Sequence, residues 1–271
     1  MPCEGLYEND SKDDRVDAEY LARVGRLDPA LLKPITHRGE AAQADLAVLS
    51  SRDVLVRTRT LLINHTRGVV KAMGGRLPRC SAESFARRVG PHVPPALRPA
   101  LAPVLAQLQQ LTAAIRGVDR EVERRCAEQY PATAQLRQVS GVGPVTALAY
   151  VLVLEDPRRF ARSRAVGAYL GLRPRRSQSG ERDPQLGITK GGNPFLRRLL
   201  VQGAQYILGP RGPDCDLRRH GERIAARGGK NAKKRAVIAV ARKLAVLLHH
   251  LWISGAVYEP LRHRPALAQA S

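Results

Sequence analysis

Between residues 97 and 127 the apolar positions Leu101, Leu105, Leu108, Leu111, Ile115, Val118 and Val122 recur at spacings of 4, 3, 3, 4, 3 and 4. That mean, near 3.5 residues, keeps one stripe of a helix turned toward a partner helix. A strand cannot use the pattern, because its side chains alternate faces with period 2. Two partners would satisfy the stripe: the long periodic segment 41–73, or a second copy of the chain. Segment 41–73 carries Leu46, Leu49, Leu55, Leu62 and Val69, and it stops at Gly74-Gly75, a helix C-terminus signal. An ordinary amphipathic helix in a larger core would show the same spacing.

The rest of the chain reads the same way. Residues 14–27 place Val16, Tyr20, Leu21 and Val24 on one helical face. Residues 76–96, with Pro78, Pro91, Pro94 and Pro95, read as a connector. Helical patterns return at 137–155, 157–170, 194–208 and 232–253, and the run Val151 to Leu154 lies inside one of them. Residues 209–231, rich in Gly, Pro and charge, read as an exposed loop. The expected fold class is mainly α, with long coiled-coil-like helices. A length of 271 residues suits one or two domains.

Charge says what such a scaffold would meet. The formal net charge is +21, with 37 Arg against 8 Lys. Arg presents a planar fork that matches phosphate, so a nucleic-acid partner comes first and an anionic membrane surface second. Codon use in a GC-rich genome would give the same Arg bias. Residues 1–60 carry 9 basic and 11 acidic residues, whereas 158–198 carry 11 and 2, and 218–243 carry 10 and 1. The basic partner site is therefore expected in the C-terminal half. Cys3, Cys80, Cys126 and Cys215 are not closely paired, which disfavours a zinc knuckle or a disulfide framework and fits a reducing cytoplasm. No apolar run reaches about 18 residues without charge, and the acidic start MPCEGLYENDSKDD lacks the apolar core of a signal peptide, so no membrane segment is expected.

Three stretches could carry chemistry. Gly141-Val142-Gly143-Pro144 lies between two apolar segments and reads as a helix-hairpin-helix-like element. Glycines permit the tight turn, Pro144 suits a first helical position, and the free amides there could hold a phosphate. A plain turn is the alternative. Next, Asp14 and Asp17 share a helical face three residues apart, as paired carboxylates for Mg²⁺ would. They equally suit the positive end of a helix, with Ser11 or Asp13 as N-cap. The third stretch, GLRPRRSQSGERDPQLGITKGGNPFLRRLL at 171–200, sets Ser177 and Ser179 among Arg173, Arg175, Arg176 and Arg182. A hydroxyl on an adaptable backbone beside guanidinium groups is what phosphodiester attack needs, although a Ser-Gly pair also makes an ordinary polar turn. Lys190, the Gly191-Gly192 turn, Asn193 as N-cap, Arg197 and Arg198 then mark a second phosphate-facing helix start.

Taken in order, SGVGPVTAL, DPRRFARSRAVGAYLGLRP, SG, LGITKGGNPFLRRLLVQGA and KRAVIAVARKLAVLLHHLW resemble the C-terminal domain of IS110/IS1111-family transposases. KDDRVDAEYLAR, with Arg52, Arg57, Thr58 and Asn64 on the following helix, resembles the end of that family's DEDD, RuvC-like domain. The resemblance covers roughly residues 10–260. It implies an insertion-sequence recombinase directed to donor and target DNA by a bridge RNA. In that family four acids of the RuvC-like domain hold Mg²⁺, and a serine attacks the DNA backbone. Carried onto this sequence, the last two acids fall on Asp14 and Asp17, and the serine on Ser179, with Ser177 second.

The resemblance also implies an organisation. Residues 1–75 would be the C-terminal remnant of the RuvC/RNase H-like domain, 76–134 a connector and coiled-coil-like helix, 135–260 the transposase domain, and 261–271 a tail. Neither Glu4, Glu8 nor Asp10 has the strand context of the first two acids. The chain is therefore expected to be an N-terminally truncated version, catalytically inactive alone, with exposed apolar faces within 14–73. A non-catalytic DNA- or RNA-binding remnant is the alternative. The expected assembly is a homodimer or tetramer, and the expected location the cytoplasm, with the nucleoid.

Overall fold

The computed structural model describes residues 13–32, 39–178 and 186–262. It is mainly α, and among these residues no β-strand forms; a single isolated bridge pairs Pro174 with Ile188. The chain divides into two compact units, Met1–Gly39 and Glu40–Ser271. The first contains helix α1, Asp14–Leu27, and a short 3-10 turn, Pro29–Leu32. Asp13 caps α1 by accepting the Arg15 N–H, and no residue of α1 is buried.

The second unit is built on α2, Glu40–Ala72, and α4, Arg98–Glu128, joined through a short α3, Phe85–Val89. The 3.5-residue stripe finds its partner within the chain, since α2 and α4 pack along one another. Leu101, Leu108, Ile115 and Val122 of the stripe are fully buried. Asp45, itself buried, ties the pair together by accepting from the Tyr130 hydroxyl and pairing with Arg125. A buried carboxylate is tolerated only with such partners. The connector 76–96 does more than link. Phe85 and Val89 of α3 join Val70, Leu101 and Leu108 in a small separate core at one end of the pair.

The main core gathers around two apolar helices, α6 (Pro144–Leu154) and α10 (Ala232–Ser254). Every residue of α6 from Thr146 to Leu154 is buried. The Tyr150 hydroxyl donates to the Ala245 carbonyl at 2.6 Å, and burial pushes its ionisation well above the ordinary tyrosine range. By length and composition α10 could cross a membrane, but Ala236, Val240, Leu244 and Leu248 are buried against neighbouring helices. Around these two pack α5 (Ala132–Leu136), α7 (Arg164–Tyr169), α8 (Pro194–Leu208) and α9 (Asp216–Ala225).

Helix α9 corrects the sequence reading, which made 209–231 an exposed loop. Leu217 and Gly221 are buried on its inner face. A Cβ on Gly221 would lie 2.6 Å from Leu208 and 2.7 Å from Val240. The glycine that lowers helix propensity is what lets α9 press against α8 and α10, and packing outweighs the propensity cost of about 1 kcal/mol.

Apolar exposure within 14–73 is as expected: Leu21, Leu27, Leu31, Val54, Leu61 and Met73 are each at least half exposed. Three cysteines, Cys80, Cys126 and Cys215, are free thiols.

One close approach fixes how the hairpin before α6 meets α8. Gly141 has φ +86°, and a Cβ there would lie 2.9 Å from the Gly203 carbonyl oxygen; a Cβ on Gly203 would lie 2.9 Å from the Gly141 carbonyl oxygen. Gly141→Ala is therefore expected to destabilise the fold by about 2 kcal/mol or more, from strain and overpacking together. That corresponds to a Tm lower by roughly 4–8 °C for a chain of this size, read by calorimetry. Gly68→Ala, inside α2 with nothing within 4 Å of the new Cβ, should instead hold or raise the Tm.

Candidate nucleic-acid interface

Two helix starts and one loop make up the candidate surface. The first start is α6. Gly143 occupies its N-cap with no side-chain cap, and Pro144 its first turn. The Val142 N–H is spent on the Val139 carbonyl, so the turn is closed internally while the first amides of α6 keep no side-chain partner. A cavity of 510 Å³ opens here, lined by the hairpin from Val139 to Gly143, by Arg137 and Thr146, and by Leu199, Gln202, Gly203 and Tyr206 of α8.

The second start is α8. Asn193 caps it by accepting the Leu196 N–H at 3.0 Å, and Pro194 follows. The loop before it is pinched at its base. Arg175 N–H donates to the Gly187 carbonyl, Thr189 N–H to Arg173 and Lys190 N–H to Gly171. Gly171 (φ +67°) and Gly192 (φ +68°) make this possible, since a Cβ on either would run into backbone atoms, Gly191 in one case and Tyr169 in the other. Lys190 also has positive φ, +60°, which costs a non-glycine residue about 1–2 kcal/mol and persists only where surrounding contacts impose it.

Arg197 supplies the clamp. One guanidinium nitrogen donates to the Leu170 carbonyl at 3.1 Å and the Gly191 carbonyl at 2.6 Å. Proposed from sequence as a nucleic-acid contact, Arg197 has a structural task first. Arg198 pairs with Asp53 of α2 at 2.6 Å and lies over the Phe195 ring. Arg173, Arg175, Arg176, Ser177 and Lys190 are exposed on the loop. Ser179, Gly180 and Arg182 lie outside the described residues.

The second cationic window divides similarly. Arg218 turns inward and donates to the carbonyls of Ile207, Gly209 and Gly212, closing the end of α8, and Arg219 pairs with Asp214. Arg223, Arg227, Lys233, Lys234 and Lys243 remain exposed. Their field is felt by His220, whose titration is pushed below the ordinary histidine range by burial and then by Lys243, Arg223 and Arg227.

Sequence reasoning missed His249. It is fully buried on α10, with Nε2 2.8 Å from the Pro157 carbonyl and Nδ1 2.9 Å from Ser163 Oγ. The carbonyl can only accept, so Nε2 carries a proton. The pair fastens the arginine-rich segment 157–163 to the core; the HisHis pair inside an apolar helix was the available signal. Arg159 stacks over Phe160 and Tyr169 at about 5 Å, which fixes the entry to α7.

Asp14 and Asp17 are both exposed on α1, in the other unit. Among the described residues no group of three or more His, Cys, Asp or Glu side chains could hold a metal ion. Two exposed carboxylates one turn apart do not make a Mg²⁺ site by themselves.

These features define a helical scaffold carrying a pinned, strongly cationic loop. The sequence model of the transposase IS116/IS110/IS902 family matches residues 133–214, which hold both helix starts and the loop. The transposase for insertion sequence element IS1111A of Coxiella burnetii is 30% identical over 213 residues, covering 74% of this chain and 56% of that protein. The transposase for insertion sequence element IS1328 of Yersinia enterocolitica is 29% identical over 201 residues, 73% of this chain and 59% of that one. A Sinorhizobium fredii protein carrying the transposase name y4rJ is 30% identical over 275 residues, 92% of this chain and 68% of its own length. The chain belongs to the IS116/IS110/IS902 family of insertion-sequence transposases. It spans about three-fifths of the length of most of these relatives.

If Arg197 clamps the loop, Arg197→Met should loosen it without unfolding the helices. Trypsin should then cut after Arg175 or Arg176 several-fold faster, while the Tm falls by no more than a few degrees.

Proposed function

We propose that the chain is the DNA-handling part of an insertion-sequence recombinase, and that the pinned loop carries its nucleophile, Ser179. The supporting observation is the loop base. Hydrogen bonds between 171–175 and 187–190, with the Arg197 clamp, bring the two described ends of the loop together beside the α8 start, and Ser179 falls between those ends in the sequence. Positioning of this kind supplies much of what phosphoryl transfer requires. Serine Oγ would attack phosphorus, and the P–O bond to one deoxyribose hydroxyl would break. The serine proton ends on that hydroxyl, and the diester is conserved as a serine–DNA linkage that a second hydroxyl can resolve. Arg173, Arg175, Arg176 and Arg182 would stabilise the phosphate's developing charge.

The hairpin Gly141–Gly143 and the α8 start would act as helix-hairpin-helix-like backbone contacts that hold DNA without reading its sequence. Bridge RNA would share the cationic surfaces, with two or four copies of the chain in the assembly, in the cytoplasm where the DNA lies. The face of α4 is occupied by α2, so copies would meet elsewhere. Helix α1, with Asp14 and Asp17, would be the end of a RuvC-like domain. A second reading is a nucleic-acid-binding protein without recombinase chemistry, in which the exposed cations of the loop, α9 and α10 hold DNA or RNA.

Incubation with DNA carrying the element's own ends, followed by denaturing electrophoresis, separates the two. Wild type and Ser177→Ala should form a covalent protein–DNA adduct that Ser179→Ala lacks, with noncovalent binding kept. Adduct formation by Ser179→Ala would reject Ser179, and binding with no adduct from any form would favour the second reading.

A further inference from the structure

The cavity beside the Gly141 hairpin holds a side chain that the proposed chemistry does not use. Tyr206 is 48% exposed on the wall that α8 contributes, although α8 otherwise buries its large apolar groups, Leu196, Leu200 and Ile207. Gln202 lies one turn before it and Leu199 another turn back, so the three form one face of α8 toward the hairpin. The floor is rigid. Gly141 and Gly203 meet backbone to backbone, and neither has a side chain that could fill the space above them. The depression is open to solvent, and its 510 Å³ falls within the roughly 300–1,000 Å³ of small-ligand sites.

Its chemistry is selective. A phenol ring offers a flat π-face, Gln202 an amide that can both donate and accept, and Ser140 and Thr146 hydroxyls line the opposite side. No carboxylate is among its lining residues, and Arg137, which is, has its guanidinium held by Glu123. A planar heterocycle with hydrogen-bonding edges, attached to an anionic backbone, fits these groups. A fully stacked duplex does not, because its bases present no free face to a side chain.

Resting on the nucleic-acid reading above, we propose that this cavity receives one unstacked nucleobase of a single-stranded segment, stacked on Tyr206 with its edge toward Gln202. Single-stranded segments arise wherever strands are exchanged or a guide is opened, so the cavity would grip one nucleotide while the cationic loop holds the backbone. Tyr206 is then a binding residue, separate from the serine chemistry.

The test titrates the full chain, wild type and variants, with a 20-nucleotide single-stranded DNA, the same sequence as RNA, and the matching blunt duplex, at one fixed salt concentration. Tyr206→Ala should weaken binding of the DNA strand, the RNA strand or both by about five- to a hundredfold. Duplex affinity should stay within about twofold, and Tyr206→Phe should bind like wild type because the ring does the stacking. The strand type that responds names the occupant. Unchanged single-strand affinity in Tyr206→Ala, equal weakening for duplex and single strands, or a Tyr206→Phe variant as weak as Tyr206→Ala would each overturn the proposal. Wild type binding the duplex normally while Tyr206→Ala changes nothing leaves the DNA-handling reading standing. Wild type binding none of the three probes removes both. Since Tyr206 is half exposed, its substitution is expected to leave the melting temperature close to wild type.

Discussion

The site depends on two backbones that meet without side chains between them. Gly141 at the hairpin and Gly203 inside α8 approach so closely that neither tolerates a Cβ. That contact sets the hairpin before α6 against the middle of α8, and α8 begins at the cationic loop. The position of the loop therefore follows from a packing contact two to three turns away along the same helix. Arg197 completes the arrangement, turning a guanidinium group back onto the carbonyls at the loop base. Interiors packed to crystalline density transmit such constraints with little slack.

The net charge of +21 overstates what is offered to a partner. Several arginines are consumed internally. Arg125 neutralises buried Asp45, Arg218 closes the end of α8 and Arg197 clamps the loop. Arginine suits these tasks because its fork can satisfy several carbonyls at once. The remainder, on the loop and along α9 and α10, is exposed; burial first, and then Lys243, Arg223 and Arg227, hold the titration of His220 below the ordinary histidine range. Under the proposed function, nucleic acid is the counterpart of that exposed remainder.

Much of this was legible from residue order. The stripe from Leu101 to Val122 had to be helical, and α2 ended at Ala72, just before the Gly74-Gly75 pair. What stayed open was the partner of the stripe, because period alone does not distinguish α2 from a second copy. Helix α9 was illegible since its buried face is made of Leu217 and a glycine, and only the neighbouring Leu208 and Val240 explain the glycine. His249 was missed for a related reason: its partners Ser163 and Pro157 lie 86 and 92 residues away. Arg197 and Arg198 were read from sequence as nucleic-acid contacts at a helix start, yet the carbonyls and the Asp53 carboxylate they engage come together only on folding. Ser179 and Arg182 lie outside the described residues, and their roles rest on the order of motifs.

Hydrogen–deuterium exchange, followed peptide by peptide with and without a DNA duplex, tests the central claim most directly, since bound backbone amides exchange more slowly. The predicted result is slowed exchange in two separated segments, 139–146 and 186–193, with the interior of the α2–α4 seam unchanged. Protection confined to the seam, or absent from both glycine-pinned segments while DNA is bound, would contradict it.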